Sequence, residues 1–458
     1  MTRITTKKLA IGMFQNGRAR QTWAMSGRED ESNYTDLEYW TELARKCEAA
    51  GADFLFLADS YGYPTLNDTV IPTAIERNVQ FSTVDSQMLM SALAAATKTL
   101  GLVTTVSTMV EKPPMVARQY RSLDHFSKGR IGWNIVTGSA QAGSALLFGE
   151  PLMPHDDRYA LADDHVQLSL KLWEGCWDDD ALIRDSATGI WADPAKVHEI
   201  IHDGPFFSSK GVLVTPPSPQ VTPTLFQAGA SSAGRELAAT YAEAVFLAAE
   251  SKALAEQIAD IRGRAEAKGR GRDAIKCLIA GTFRIAESEE EARAAHEAQI
   301  AGISLEYAAA TYAYFTGVDL LSFDLDRPMP ASTAKTDNGR TNVERFLGPD
   351  APTVREILEE FRANGVMGKP FLGTVEQAVD QALALIEETD ADGFLVQPDP
   401  DGSHDMFFEK VMPELRRRGV IKDELPGATL REHLFGEGCV RLPDSHPGAA
   451  FRRTGVLV

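Results

Sequence analysis

The sequence predicts an α/β fold: a (β/α)8 TIM barrel with insertions after strand 4 and near strand 7, plus a C-terminal tail. Three observations predict it. Short apolar runs alternate with amphipathic helical stretches, the sequence form of parallel strands joined by helical crossovers. The apolar runs number eight, at 9–14, 54–58, 101–106, 131–136, 224–228, 244–247, 277–284 and 393–396. Several end in hydrogen-bonding side chains, as expected where the βα loops of a barrel converge. All of 1–458 reads as one domain, because barrels with insertions reach lengths above ~400 residues as single units.

The elements follow in order. Behind the first strand, Trp40, Leu43, Ala44 and Cys47 make one helical face, and the second strand runs into Asp59. Thr105 sits near the end of the third strand. Val116, Tyr120 and Leu123 then fall at i, i+4 and i+7, with Arg118 and Arg121 pointing elsewhere. Ser127-Lys128-Gly129 stops that helix, Gly129 suiting the positive φ of a C-terminal cap. The fourth strand carries Asn134 and closes on Thr137 and Ser139, either a polar site or a strand with a satisfied turn. A further helix shows Ala162, Val166, Leu170 and Trp173 on one face. The stretch 177–223, with Asp178-Asp179-Asp180, Gly204-Pro205 and TPPSPQVTP, reads as an insertion of loops and short antiparallel strands. A second insertion spans 316–352 and includes DRPMPASTAKTDNGRTN; it is either a mobile cover over the active site or plain disorder. Thr374-Val375-Glu376-Gln377 is a capping box, and Phe408, Val411, Met412 and Leu415 form a last helical stripe. Residues 419–458, including TLREHLFGEG, read as a tail wrapping the barrel or a partner subunit.

An apolar fraction of 44% supplies a large core. Sixty-five acidic against 46 basic residues give a formal charge of −19, which repels polyanions and leaves no basic patch for nucleic acid. No run approaches the ~18 apolar residues of a membrane span, and MTRITTKKLAIGM lacks the apolar stretch of a secretory signal, so a cytoplasmic protein is expected. Cys47, Cys176, Cys277 and Cys439 are scattered without a C-x-x-C pair, as reduced structural thiols are. H-E-x-x-H, G-x-S-x-G, P-loop and G-x-G-x-x-G motifs are all missing, so no metal site, nucleophile elbow or dinucleotide site is expected.

At 228–232, Ala228-Gly229-Ala230-Ser231-Ser232 ends a strand and opens a helix. Gly229 permits close backbone approach, and Ser231 and Ser232 either cap the helix or bond a phosphate at its amino terminus. Tyr159 offers a phenol to the same phosphate, and His155 a donor beside it. Asp59, Thr105 and Asn134 bring polar groups from three adjacent strand ends to one region, although singly Asp59 reads as a cap and Thr105 as an ordinary β-branched strand residue. His125, His165, His198, His202, His296 and His433 read as solvated.

The segment SLDHFSKGRIGWNIVTG, at 122–138, resembles the signature of bacterial luciferase-like flavin monooxygenases, in the branch with nitrilotriacetate, EDTA and dibenzothiophene-sulfone monooxygenases. FLFLADS at 54–60, LGLVTTVST at 100–108, HDDRY at 155–159, QAGASSAGRELAA at 227–239 and ADGFLVQ at 391–397 are similar to that branch in order and spacing. The resemblance implies an oxidoreductase that binds reduced FMN (FMNH2), with Asp59, Thr105 and Asn134 lining the flavin and Thr137, His155, Tyr159, Ala230, Ser231 and Ser232 around its chain and phosphate. Thr105 and Asn134 are the expected catalytic pair at the oxygen-reacting edge. It also implies a separate NAD(P)H:flavin reductase, O2, and a small organic substrate, whether amine, organosulfur compound or heterocycle, handled by a homodimer or homotetramer. Relatives carry a histidine after the first strand where this chain has Phe14-Gln15-Asn16-Gly17-Arg18-Ala19-Arg20, so that residue's role is not carried over. Phe14, Arg18 and Tyr61 are the candidates for the substrate side: Arg18 and Arg20 either hold an anionic group or are simply solvated, and Tyr61 and Tyr63 either form an aromatic wall or pack a loop. Two other readings keep the barrel: hydride transfer with the deazaflavin F420, and flavin binding without turnover.

Overall fold

The computed structural model describes residues 7–18, 33–335, 343–344, 346–364, 370–399 and 403–452; Arg20 and 336–342 lie outside them. Eight parallel strands close a barrel in sequence order. They are β1 (Ala10–Asn16), β2 (Phe54–Ala58), β3 (Gly101–Ser107), β4 (Ile131–Val136), β5 (Thr224–Gln227), β6 (Ala244–Leu247), β7 (Lys276–Gly281) and β8 (Gly393–Val396). Gly12 pairs with Phe54, and Ala10 pairs with Gly393 to close the ring. Side chains alternate along each strand. Phe54 and Phe56 point into the barrel with Phe14, Val103 and Phe226, whereas Leu55 and Leu57 point out to the helices. Burial on both faces explains why these strands read as continuous apolar runs.

The helices behind the first six strands are α1 (Leu37–Ala50), α2 (Ser86–Ala96), α3 (Pro113–Ser127), α4 (His155–Gly175), α5 (Ser232–Tyr241) and α6 (Ser251–Ala267). α3 buries Val116, Tyr120 and Leu123, and ends with Lys128 at φ 58° and Gly129 at φ 90°, so the left-handed cap begins one residue earlier than the glycine. Arg121 does not point away from the core. It is fully buried, donating to the carbonyls of Thr215, Trp173 and Val221, and so pins α3 to the first insertion.

That insertion consists of two antiparallel hairpins, Leu182–Asp185 with Ile190–Ala192 and Ile200–Asp203 with Ser208–Gly211. Asp164 of α4 anchors it, accepting from the backbone N–H groups of Phe206 and Phe207 at 2.9 and 2.8 Å and contacting His202 Nε2 at 2.8 Å. His202, His165 and His433 are buried rather than solvated; His165 Nε2 meets the carbonyl of Glu111 at 2.9 Å.

The seventh strand is shorter than its apolar run. After Gly281 the chain leaves the barrel, and Phe283–Ile285 pairs in parallel with Phe371–Gly373 outside it. The Phe283 ring packs against Phe371, Phe394 and Phe407, which draws the segment off the barrel axis. Between this strand and β8 stand α7 (Glu289–Ala301), α8 (Leu305–Thr316), α9 (Val354–Asn364) and α10 (Val375–Thr389), the last opened by the Thr374–Gln377 capping box. α8 and α9 share a separate apolar cluster in which Tyr312, Leu320, Met329, Val343, Phe346 and Phe361 pack together. The described part of 316–352 is therefore packed into that cluster.

The tail closes the other end of the barrel. Leu9 N–H donates to the carbonyl of Val420 at 2.8 Å, and α11 (Leu430–Phe435) begins at a capping box of Thr429 and Glu432. Leu430 and Leu434 join the interior cluster of Phe54, Val103 and Phe226. Arg431 pairs with Glu243 at 2.6 Å and donates to the carbonyl of Thr222 at 2.9 Å, all fully buried. The first part of the tail is thus a plug in the barrel floor, while its last part wraps the outside over α4 and α5, where Arg441 and Arg452 pair with Glu174 at 3.2 and 2.8 Å and His446 Nε2 meets the carbonyl of Tyr241 at 2.8 Å.

Candidate active site

A cavity of about 570 Å³ opens over the carboxyl ends of the barrel strands. Phe14, Asp59, Thr105, Asn134, Thr137 and Ala228 contribute to its barrel wall, and His296, Ile303, Tyr307, Tyr314 and Phe361 to a roof carried by α7, α8, α9 and the turn between the first two. Among the described residues none from 317–352 lines it, so helices flanking that insertion form the cover.

Asp59 follows β2 and accepts from the backbone N–H of Ser60 at 2.7 Å and of Ser86 at 2.8 Å. Ser86 opens α2, so one carboxylate both caps a helix and lines the cavity. Burial pushes its pKa up against the pull of those hydrogen bonds. Thr105 and Asn134 are paired neighbours on β3 and β4. The Thr105 hydroxyl donates to the carbonyl of Leu57 at 2.9 Å, so it must accept from Asn134 Nδ2, also at 2.9 Å. The chain of donors leaves Asn134 Oδ1 as a buried acceptor with no partner among the described residues. A buried amide oxygen in that state is held ready for a ligand N–H or O–H. Thr137 is the next polar group along this wall, its carbonyl accepting from Gln141 Nε2.

Beyond β5 the chain turns into α5, where Ser231 is the N-cap and accepts from the N–H of Gly234 at 3.1 Å. Its hydroxyl proton is then free to donate, and Tyr159 OH lies 3.4 Å away. Two glycines make room for that phenol. A Cβ on Gly229 would lie 3.1 Å from Tyr159 OH, and one on Gly234 3.0 Å from it and 2.9 Å from the carbonyl oxygen of Gly229. Of the group, Tyr159 itself lines the cavity. Ser232 faces solvent and accepts from Arg264 at 3.2 Å, while the Ala230 carbonyl accepts from the Arg235 guanidinium. His155 stands at the start of α4, its ring 5.1 Å from that of Tyr159 and its Nδ1 2.8 Å from Asp156 Oδ1.

On the substrate side, Phe14 lies at the base of the cavity, its ring stacked 6.0 Å from that of Phe56. Arg18 donates to Tyr314 OH at 2.8 Å and its guanidinium sits 5.1 Å above the Tyr314 ring; the same hydroxyl meets Ser139 Oγ at 2.7 Å. Tyr314 thus latches the roof to two barrel loops. Tyr61 is not in the cavity wall; it is exposed, edge-on to Phe148. The roof residues His296, Tyr307, Thr311 and Tyr314 were not singled out as site residues from sequence. A signal existed, since Tyr307, Thr311 and Tyr314 fall at i, i+4 and i+7 of an otherwise alanine-rich helix.

The model of the luciferase-like monooxygenase family matches residues 19–393. The long-chain alkane monooxygenase of Geobacillus thermodenitrificans is 37% identical over 453 residues, covering 98% of both chains. Component A of the nitrilotriacetate monooxygenase of Aminobacter aminovorans is 34% identical over 417 residues, 87% of this chain and 90% of that one. Among solved structures, a riboflavin lyase with modified FMN and its substrate riboflavin superposes with a TM-score of 0.92 at 42% identity, covering 98% of this chain and all of the other.

Proposed function

Since the chain belongs to the luciferase-like monooxygenase family, we propose that it is the oxygenase of a two-component system, taking FMNH2 from a separate NAD(P)H:flavin reductase. Reduced FMN, when bound, supplies the two electrons by which one atom of O2 enters an organic substrate and the other leaves as water. The observation that carries the reading is Asn134 Oδ1, a buried acceptor beside the cavity that the Thr105 hydroxyl prevents from turning inward. It suits an N–H on the polar edge of the isoalloxazine ring. Asp59, raised in pKa by burial, borders the same wall and keeps its loop fixed through Ser60 and Ser86.

The phosphate belongs, on this reading, at the amino terminus of α5, where Ser231 and Tyr159 offer hydroxyl donors and the free backbone N–H groups add a favourable dipole. Ala230, Ser232, Thr137 and His155 form the surround. The roof keeps water out, and the Arg18–Tyr314–Ser139 contacts hold it down. Among the described residues no disulfide joins Cys47, Cys176, Cys277 or Cys439, which suits a cytoplasmic enzyme. Leu146, Leu147, Phe148 and Leu152 form an exposed apolar run that suits a homodimer or homotetramer. Among the described residues no helix is long and apolar enough to cross a membrane.

A second reading has its own support: 42% identity over essentially full length to riboflavin lyase makes a second flavin a candidate substrate. One experiment tests both. The purified protein is supplied with FMN, a flavin reductase, NADH and O2, and presented with amines, organosulfur compounds, heterocycles and riboflavin. Labelled oxygen from 18O2 should enter one product. If reduced flavin is bound yet no compound is changed, the oxygenase assignment fails.

A further inference from the structure

The roof carries two uncharged side chains with a polar atom that no described neighbour satisfies, beside the unpartnered Nε of the Arg362 guanidinium. His296 Nδ1 and the Tyr307 hydroxyl are buried with no hydrogen-bond partner among the described residues, and both residues line the cavity. Buried polar atoms in that condition cost free energy that a ligand recovers. They stand on α7 and α8, outside the barrel elements that supply Asp59, Thr105, Asn134 and Tyr159. A ligand that satisfies them is therefore a second molecule, facing the first from above.

We propose that His296 and Tyr307 are a specificity-determining pair that selects an uncharged ring compound with a hydrogen-bonding edge, against both hydrocarbons and polyanions. Burial and the nearby Arg284 guanidinium keep the His296 imidazole neutral, and burial keeps Tyr307 a phenol. The pair offers an O–H donor together with an imidazole that has one donor and one acceptor nitrogen. That set matches an amide, imide or hydroxylated edge. Phe315, Phe361 and Tyr314 line the same cavity, flat surfaces suited to a ring. Of the cations lining the cavity, Arg284 lies 3.6 Å from Asp399, Arg362 pairs with Glu359, and Arg18 is engaged by the Tyr314 hydroxyl and ring. A polyanion would have to draw Arg18 off the Tyr314 hydroxyl and ring that hold it, and a hydrocarbon leaves both polar atoms bare.

The inference rests on the oxygenase reading for the fate of the ligand and not for its binding. The test uses FMN-loaded protein and three flat probes: quinazoline-2,4-dione with an imide edge, naphthalene with none, and the dianion phthalate. The dione should bind at least about tenfold more tightly than the other two. Tyr307→Phe keeps the ring on its Ala74, Val79 and Ala310 neighbours and removes only the oxygen. Tyr307→Phe and His296→Leu should each weaken the dione about tenfold and leave naphthalene unchanged. Naphthalene or phthalate binding as tightly as the dione, variants that weaken all probes alike, or no binding of any probe would overturn the pair. Oxygenation is read separately: sensitive dione binding with no oxygenated product from any compound sinks the oxygenase reading and leaves the pair standing. Oxygenated product with variant-insensitive dione binding does the reverse.

Discussion

Deleting the two hydroxyls at the start of α5 separates a phosphate site from a helix cap. Tyr159→Phe removes a hydroxyl wedged against Gly229 and Gly234, leaving the ring in place. A hydrogen bond to a charged group is worth about 1.5–3 kcal/mol, or roughly ten- to a hundredfold in affinity. Ser231 needs a subtler change, because its oxygen also accepts from Gly234 N–H at 3.1 Å. Ser231→Ala forfeits the cap, about 1 kcal/mol of stability, whereas Ser231→Gly costs only a few tenths while still removing the hydroxyl. FMN binding should therefore weaken to the same degree in both Ser231 variants, and thermal stability should fall mainly in the alanine one. The two hydroxyls lie 3.4 Å apart, so the double variant should depart from additivity by more than about 0.5 kcal/mol. The assay is anaerobic titration of reduced FMN and reduced riboflavin, read by absorbance and fluorescence. Riboflavin lacks the phosphate and should bind all variants alike. Equal weakening of FMN and riboflavin would refute the reasoning and move the phosphate away from α5.

Asn134→Ala should lower product per NADH by up to about 3 kcal/mol in barrier terms while changing FMN affinity less; normal coupling in rapid-mixing and product assays would return Asn134 to a structural role in β4. Tyr314→Phe cuts the roof's bonds to Arg18 and Ser139, so hydrogen peroxide released per product should rise severalfold, measured by peroxide assay under turnover. Arg431→Met strands a buried carboxylate on Glu243 and should cost about 3–5 kcal/mol by denaturant unfolding, while the double change with Glu243→Gln should recover part of it. Burial raises the Glu243 pKa but Arg431 outweighs it, holding the carboxyl below its ordinary value of ~4.3. A depressed folded pKa gives stability that is present above the unfolded pKa and lost as pH falls through the folded one. The stability gap between wild type and the double variant should accordingly change below about pH 4.3 and stay flat above it, as acid-unfolding curves would report.

Strand positions were legible because burial on both faces writes an uninterrupted apolar run, and Phe54 to Leu57 shows that run serving two cores at once. The seventh was misjudged at its end, since Phe283-Arg284-Ile285 continues the β pattern while pairing with another partner. Asp59, Thr105 and Asn134 were visible through their joint placement at successive strand ends, since singly Asp59 reads as a cap and Thr105 as a β-branched strand residue. The roof was not: α7 opens Glu-Glu-Glu and reads as a solvated helix, so His296 passed for a surface histidine. Local pattern carries no information about which distant element covers a face. The same limit hid the role of the tail, whose Leu430 and Leu434 announce an apolar side without saying that the barrel interior lies against it.

That plug has a consequence for synthesis. The barrel interior at Phe54, Val103 and Phe226 is completed by residues made more than 200 positions later, and the Leu9–Val420 contact joins opposite ends of the described chain. A nascent chain emerging from the ribosome, even one that has released β8, still exposes aromatic rings at the barrel floor. Loops spanning hundreds of residues close slowly, and exposed apolar surface in the interval invites aggregation. Chaperone dependence during translation, and insoluble fragments from any gene truncated before Leu430, are the expected marks of a fold whose last helix is its keystone.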